Sequence, residues 1–251
     1  IKSMASTYET GCVQNVANFE TLISYITAFG ADYNPSKTSL KIPELQKILS
    51  DAKVSLNAVN VAFSAHSNAI AARESAFEPL SKLVTRVNNA LKATDTTTQV
   101  DDSAKTIVRK IQGTRASAKL TEEQKQALAA EGKEVNQVSA SQMGFNDRIE
   151  NFDKLITLLS SIPNYAPNEE ELKIESLTAY LNDLKSKNAA VLPLEVQLSN
   201  ARIVRNDIQD RPLRGLIDVA LDSKVYIKSV FGASSPQYKQ ISKLAFVKRK
   251  K

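Results

Sequence analysis

Between Ile42 and Phe77 the chain places Leu45, Leu49, Ala52, Leu56, Val59, Phe63, His66, Ile70 and Arg73 at alternating steps of three and four, without a slip. All but His66 and Arg73 are apolar. The spacing predicts one helix of about 30 residues or more, roughly 45 Å long at a 1.5 Å rise per residue, carrying a heptad stripe. Ile174, Leu177, Leu181, Leu184, Asn188, Val191 and Leu198 set out a second stripe in the same register, ending at Arg205. Shorter amphipathic helices are predicted before each long one, from Val16, Phe19, Ile23 and Ile26 and from Phe145, Ile149, Phe152, Ile156 and Leu159. After each long helix a proline, Pro79 or Pro212, precedes a fresh stripe: Leu80, Leu83, Val84, Val87 and Leu91 in one case, Leu213, Leu216, Ile217 and Ala220 in the other. Proline is tolerated in a helix's first turn and not in its interior, so one helix is expected to end and another to begin there. Pro193 has no such counterpart and is expected to kink the second long helix.

The similarity of the two series extends to residue identity. "HSNAIAARES" (66–75) answers "LSNARIVRND" (198–207), "NFETLISYI" (18–26) answers "NFDKLITLL" (151–159), and "LKIPELQKILSDAK" (40–53) answers "LKIESLTAYLNDLK" (172–185). Tyr33 and Pro35 match Tyr165 and Pro167, and "EPLSKLV" (78–84) matches "RPLRGLI" (211–217). The constant order and nearly constant offset predict two copies of one three- or four-helix unit, over 19–111 and 152–244, related by a pseudo-twofold. The expected fold is all-α: an elongated antiparallel bundle with the long helices as its spine. Its expected domains are a first helical repeat over 1–112, a polar linker over 113–144 and a second repeat over 145–251 with a basic tail. Within the linker, Thr121 with Gln124 three residues on reads as a helix start, and Gly132 as its stop. "ATDTTTQVDD" (93–102) reads as a loop, with Asp101 or Asp102 capping the helix that carries Ile107 and Ile111.

Composition supports this picture. Hydrophobic residues make up 42% of 251 positions, with 7 glycines and 8 prolines, enough for a core and too few turn formers for a β-sandwich. The formal charge of +6 is mostly local: Lys248, Arg249, Lys250 and Lys251 supply four of the six charges, leaving a body near +2. Cys12 stands alone, so no internal disulfide or cysteine-rich zinc site is expected, and a cytoplasmic location suits it. No apolar run of 18 residues predicts a membrane span, and "IKSMASTYETG" carries no leader pattern; Met4 is expected to be the natural start.

Candidate chemistry is sparse. His66, the one histidine, sits on the long stripe where the other copy has Leu198, which points to a packed histidine; with a single distant Cys, no metal set is expected. Arg73 and Arg205 each put a permanent charge at the same step of the stripe, so an apolar stem packed on the seam with its guanidinium reaching outward is expected, and anion binding is the alternative. Asn68 and Asn200 lie two positions past the seam and read as bonds to adjacent turns or as a register device. "FGASSPQ" (231–237) lacks the Gly-x-Ser-x-Gly pattern of a nucleophile elbow, and no Gly-rich phosphate loop or HExxH appears. Glu169, Glu170 and Glu171 after Asn168 read as the acidic start of a helix. No catalytic residue, cofactor or metal is assigned.

"MASTYETG", "AFEPLSKLVTRV", "QLSNARI" and "FGASSPQYKQISKL" are similar to segments of a family of uncharacterised bacterial all-helical proteins of comparable size. The resemblance spans nearly the whole chain and implies a self-contained, internally duplicated unit, with no assigned activity or site residues. The leading functional expectation is a non-enzymatic structural or protein-interaction bundle whose partner is protein, a second copy first of all. One alternative is a nucleic-acid or acidic-surface binder using Lys248, Arg249, Lys250 and Lys251 with the basic run Lys105, Arg109, Lys110, Arg115 and Lys119. The other is an amphipathic membrane-active protein.

Overall fold

The computed structural model describes residues 7–114, 123, 130 and 143–248. The linker helix read at Thr121 to Gly132, the start at Met4, and Arg115, Lys119, Arg249, Lys250 and Lys251 therefore lie outside the described residues. Those residues are all-α, with no strand among them. In chain order the α-helices are α1 (Thr7–Ala28), α2 (Ile42–Phe77), α3 (Leu80–Lys92), α4 (Thr98–Gln112), α5 (Phe145–Ser160), α6 (Ile174–Asp210), α7 (Leu216–Phe231) and α8 (Pro236–Ser242). Single 3-10 turns at Thr38–Leu40 and Glu170–Leu172 lead into α2 and α6. Among the described residues no helix is long and apolar enough to cross a membrane.

The chain forms two compact units, Ile1–His66 with Leu194–Lys251, and Ser67–Pro193. Both boundaries fall inside the long helices α2 and α6. The repeats expected from sequence and the units in space are thus different divisions: each unit holds segments from both expected repeats. In the first unit, Phe19, Leu22 and Ile26 of α1 and Leu45 and Ala52 of α2 share one core with Leu216, Val219, Ala220 and Ile227 of α7 and Ile241 of α8. In the second, Leu80, Val84, Val87 and Leu91 of α3 and Ala104, Val108 and Ile111 of α4 share a core with Phe152, Leu155 and Leu159 of α5 and Leu177, Leu181 and Leu184 of α6. Near-complete loss of water contact by these side chains is the main stabilising term, at about 1.5–3 kcal/mol for each large aliphatic or Phe side chain.

One tyrosine locks the entry to each long helix. Tyr33 Oη donates to the Leu40 carbonyl at 2.8 Å, and Tyr165 Oη donates to the Leu172 carbonyl at 2.9 Å. Both phenols and both leucines are buried, so each bond satisfies two polar groups in an apolar setting and holds a 3-10 turn closed just ahead of the helix.

Several local expectations need correction. The loop after α3 is shorter than 93–102: α4 begins at Thr98 with Thr97 as its N-cap, and Asp101 lies in the first turn, accepting a bond from Thr96 Oγ1 at 2.8 Å. Glu170 and Glu171 belong to a 3-10 turn, with α6 starting only at Ile174. Pro193, where a kink is expected, lies inside α6 with helix on both sides of it. Leu213 is not on a stripe: it is 72% exposed, has φ 65°, and its amide donates to Asp218 Oδ2 at 2.9 Å. The cause is Gly215, where a Cβ would meet Arg211 backbone atoms and the Gln209 carbonyl at 2.7 Å. The backbone folds tightly there and the helix restarts at Leu216, whereas the counterpart Lys82 lies within α3. The α2 stripe is buried at Leu45, Ala52, Val59 and Phe77, but Phe63 is 40% exposed.

Phe152→Ala is expected to lower unfolding free energy by about 3–5 kcal/mol, while Phe63→Ala falls within about 1 kcal/mol, as read by urea denaturation. Tyr33→Phe and Tyr165→Phe should each cost about 1–2 kcal/mol in the same assay, because each strands a buried carbonyl.

Candidate functional site

The sequence marks Arg73 and Arg205 as paired positions, and each heads a buried junction inside one unit. In the Ser67–Pro193 unit, Arg73 and Phe77 share a face of α2, and Phe145 and Arg148 share a face of α5, at helical spacings of four and three. The two rings meet edge to face, centroids 4.8 Å apart. The Arg73 guanidinium carbon stands 4.0 Å from the centre of the Phe145 ring, and that of Arg148 stands 5.3 Å from Phe77. Each cation thus lies over the ring brought by the other helix, within the roughly 6 Å at which the ring quadrupole attracts it.

Polar bonds finish the edges of this cluster. Arg73 Nη1 donates to Asn188 Oδ1 at 3.4 Å, Arg148 Nη2 to the Phe77 carbonyl at 3.3 Å, and Asn188 Nδ2 to Asn146 Oδ1 at 2.6 Å. Tyr180 Oη donates to the Ala76 carbonyl at 2.6 Å. The Nε atoms of Arg73 and Arg148 are buried without a hydrogen-bond acceptor, so the ring faces supply part of the compensation their charge requires. Burial holds the Arg148 guanidinium below its ordinary value and pushes the Tyr180 phenol up to about 12. Tyr165 is likewise pushed up to about 12 by burial, with the Glu169 carboxylate adding to the rise.

In the other unit the corresponding positions are Arg205, Gln209, Cys12 and Asn15, and the same junction is built from amides. Asn15 Nδ2 donates to Gln209 Oε1 at 3.0 Å, and Gln209 Nε2 donates to the Cys12 carbonyl at 3.1 Å. Asn15 also pairs with the backbone of Val247, donating to its carbonyl at 2.9 Å and accepting from its amide at 2.8 Å. Asn18 Nδ2 adds a bond to the Ala245 carbonyl, so the segment after α8 is fastened along α1. Arg205 is nearly fully buried and directs Nε and Nη2 to Asn206 Oδ1 at 3.1 and 2.9 Å. Cys12, the single cysteine of the chain, is buried beneath this network.

The other candidates are scattered. Asn68 and Asn200 are exposed on α2 and α6, and His66 is half-buried on α2. Lys248 Nζ lies 3.0 Å from Asp218 Oδ1, a carboxylate held below its ordinary range first by the Leu213 amide and then by Lys248. "FGASSPQ" is a helix start: Ser235 Oγ accepts from the Tyr238 amide and donates to the Gly232 carbonyl, and Pro236 opens α8. Among the described residues no group of three His, Cys, Asp or Glu side chains is placed to hold a metal ion. Sequence reasoning missed Arg148: it stands opposite Asn15, so no charge recurs at that step as it does at Arg73 and Arg205. In comparisons with known proteins, no family, no curated protein and no solved structure matches the chain.

A double-mutant cycle on Arg73→Met and Phe145→Leu should return a coupling of about 0.5–2 kcal/mol in denaturant unfolding. The tyrosines set a second expectation. A phenol raised to about 12 in the fold and standing near 10 in the unfolded chain contributes stability that is complete below about pH 10 and is lost as pH rises through about 12. Tyr165 and Tyr180, together with Tyr33, whose phenol burial also raises, should therefore ionise late in an ultraviolet titration, and Tyr165→Phe should remove one late step.

Proposed function

We propose that this chain is a non-enzymatic helical packing protein that assembles with further copies of itself, built from two copies of one helical unit in an antiparallel bundle. The observation that carries the assembly reading is a second apolar row on each long helix. Val54 and Val61 of α2 lie seven residues apart and are 67% and 62% exposed. Val196 and Ile203 of α6 are also seven apart, at 49% and 61%, with Val204 beside them. Seven residues is two helical turns, so each pair sits on one face, separate from the buried heptad stripe. A helix with two apolar stripes has a use for two partners, and in each case the fold covers one.

Support for the duplication comes from matched burial. Phe19 and Phe152, Leu22 and Leu155, Leu45 and Leu177, and Tyr33 and Tyr165 are equally buried pair by pair, and both tyrosines make the same bond seven residues on. Support for the antiparallel arrangement comes from one unit, where Arg73 bonds Asn188 and Ala76, three residues later, bonds the earlier Tyr180. The bacterial all-helical proteins resembled by "QLSNARI" and its companion segments fit this reading as relatives.

Light scattering coupled to size exclusion tests it. The full chain is expected to elute with at least a dimer's mass, and Val61→Glu with Ile203→Glu to return it to a monomer of about 27.5 kDa with unchanged helical circular dichroism. A wild-type monomer at every accessible concentration overturns the proposal. Binding to duplex DNA that weakens steeply with salt would put the acidic-surface reading in its place, and leakage of liposomes the membrane-active one.

A further inference from the structure

Each locking tyrosine is followed two residues on by a proline and seven on by its acceptor leucine, but the helix packed on the turn carries different side chains in the two units. The turn Thr38–Leu40 packs on α7, and the turn Glu170–Leu172 packs on α3. In the register of "EPLSKLV" against "RPLRGLI", Val84 and Val87 correspond to Ile217 and Ala220, all four buried, and Ala90 corresponds to Ser223. Continuing that register, Ala93 stands where α7 has Tyr226. In the first unit the Tyr226 ring meets Tyr33 edge to face, centroids 5.2 Å apart at 90°. In the second, α3 ends at Lys92 with Ala93 as its capping residue, and a groove of ≈ 460 Å³ opens between Ala90, Ala93, Tyr165, Pro167 and Leu172.

We infer that this groove is a binding site for a small neutral phenol, whose ring takes beside Tyr165 the place that the Tyr226 ring takes beside Tyr33. The chain itself supplies the template: Tyr33 is covered by an aromatic ring from the helix packed on its turn, and at Tyr165 the corresponding position is Ala93, beside an open groove. A volume of this size lies within the roughly 300–1,000 Å³ usual for small-molecule sites. An edge-to-face contact favours an aromatic ligand over an aliphatic one of equal area, through the ring quadrupoles. The rim carries the side-chain amides of Asn89 and Asn168, which can donate to or accept from a phenolic hydroxyl. The un-ionised phenol is favoured over an anion, because the Glu169 carboxylate lines the groove and its cation, Arg86, is ion-paired with Glu171. The inference rests on the proposed duplication, whose residue correspondence it uses, and is independent of self-assembly.

The test uses the full chain with p-cresol, read by equilibrium dialysis and by saturation-transfer NMR. Wild type is expected to bind one p-cresol per chain. Ala93→Tyr fills the groove with the ring found in the other unit, and should weaken binding by at least about tenfold without lowering the melting temperature. Tyr226→Ala empties the first unit's position and should raise the stoichiometry to two. Absence of saturable binding by wild type overturns the inference, as does binding that Ala93→Tyr leaves intact. A folded Tyr226→Ala that still binds one equivalent overturns the correspondence on which it rests, and if that variant does not fold the Ala93→Tyr comparison decides.

Discussion

Neither compact unit can bury its apolar surface with residues from one end of the chain. The core around Phe19 and Leu45 is closed by Leu216, Val219 and Ile227, and the core around Leu80 and Ile111 is closed by Phe152, Leu177 and Leu184. The stripes on α2 and α6 impose this. Each stripe runs without interruption across a unit boundary, so each long helix must find one set of partners for its first half and another for its second. The short helices and tyrosine-locked turns are then constrained to deliver matching faces to those halves.

The same junction is solved twice with different chemistry. Around Arg73 the space is filled by two phenyl rings and a second arginine, and the charges lie over ring faces. Around Arg205 the equivalent ring positions are Gln209 and Cys12, small enough for a chain of amide bonds that reaches Val247 and fastens the end of the chain. Both solutions meet one requirement: a buried polar group must find a partner of opposite character, whether a lone pair or a π face. Both arrangements tie together helices of one unit, α2 to α6 through Arg73 and Asn188, and α1 to α6 through Asn15 and Gln209.

Much of this was legible in advance. The heptad steps from Ile42 to Phe77 gave the extent of α2 to the residue, and the echo from Ile174 to Arg205 gave α6 to within five residues of its end. Departures occur where a backbone detail outweighs the side-chain pattern: the crowding at Gly215 sends Leu213 into water, although the repeat matches it to the fully buried Leu80. Arg73 and Arg205 could be singled out because charge on an apolar stripe is conspicuous. Phe145 and Arg148 could not, because a phenylalanine and an arginine at the start of an amphipathic helix are unremarkable until the facing helix is known.

What the sequence determined by itself is therefore the set of helices and the face each must bury, since period and composition are local properties that solvent reads residue by residue. Which helix covers which face was decided only in three dimensions. Stripes of similar width and polarity are interchangeable by pattern alone, and the choice among them depends on shape, on closure of the loops, and on whether a buried guanidinium meets a ring or an amide. The unequal fate of two matched tyrosines, one covered by Tyr226 and the other facing an open groove beside Ala93, belongs to that second category.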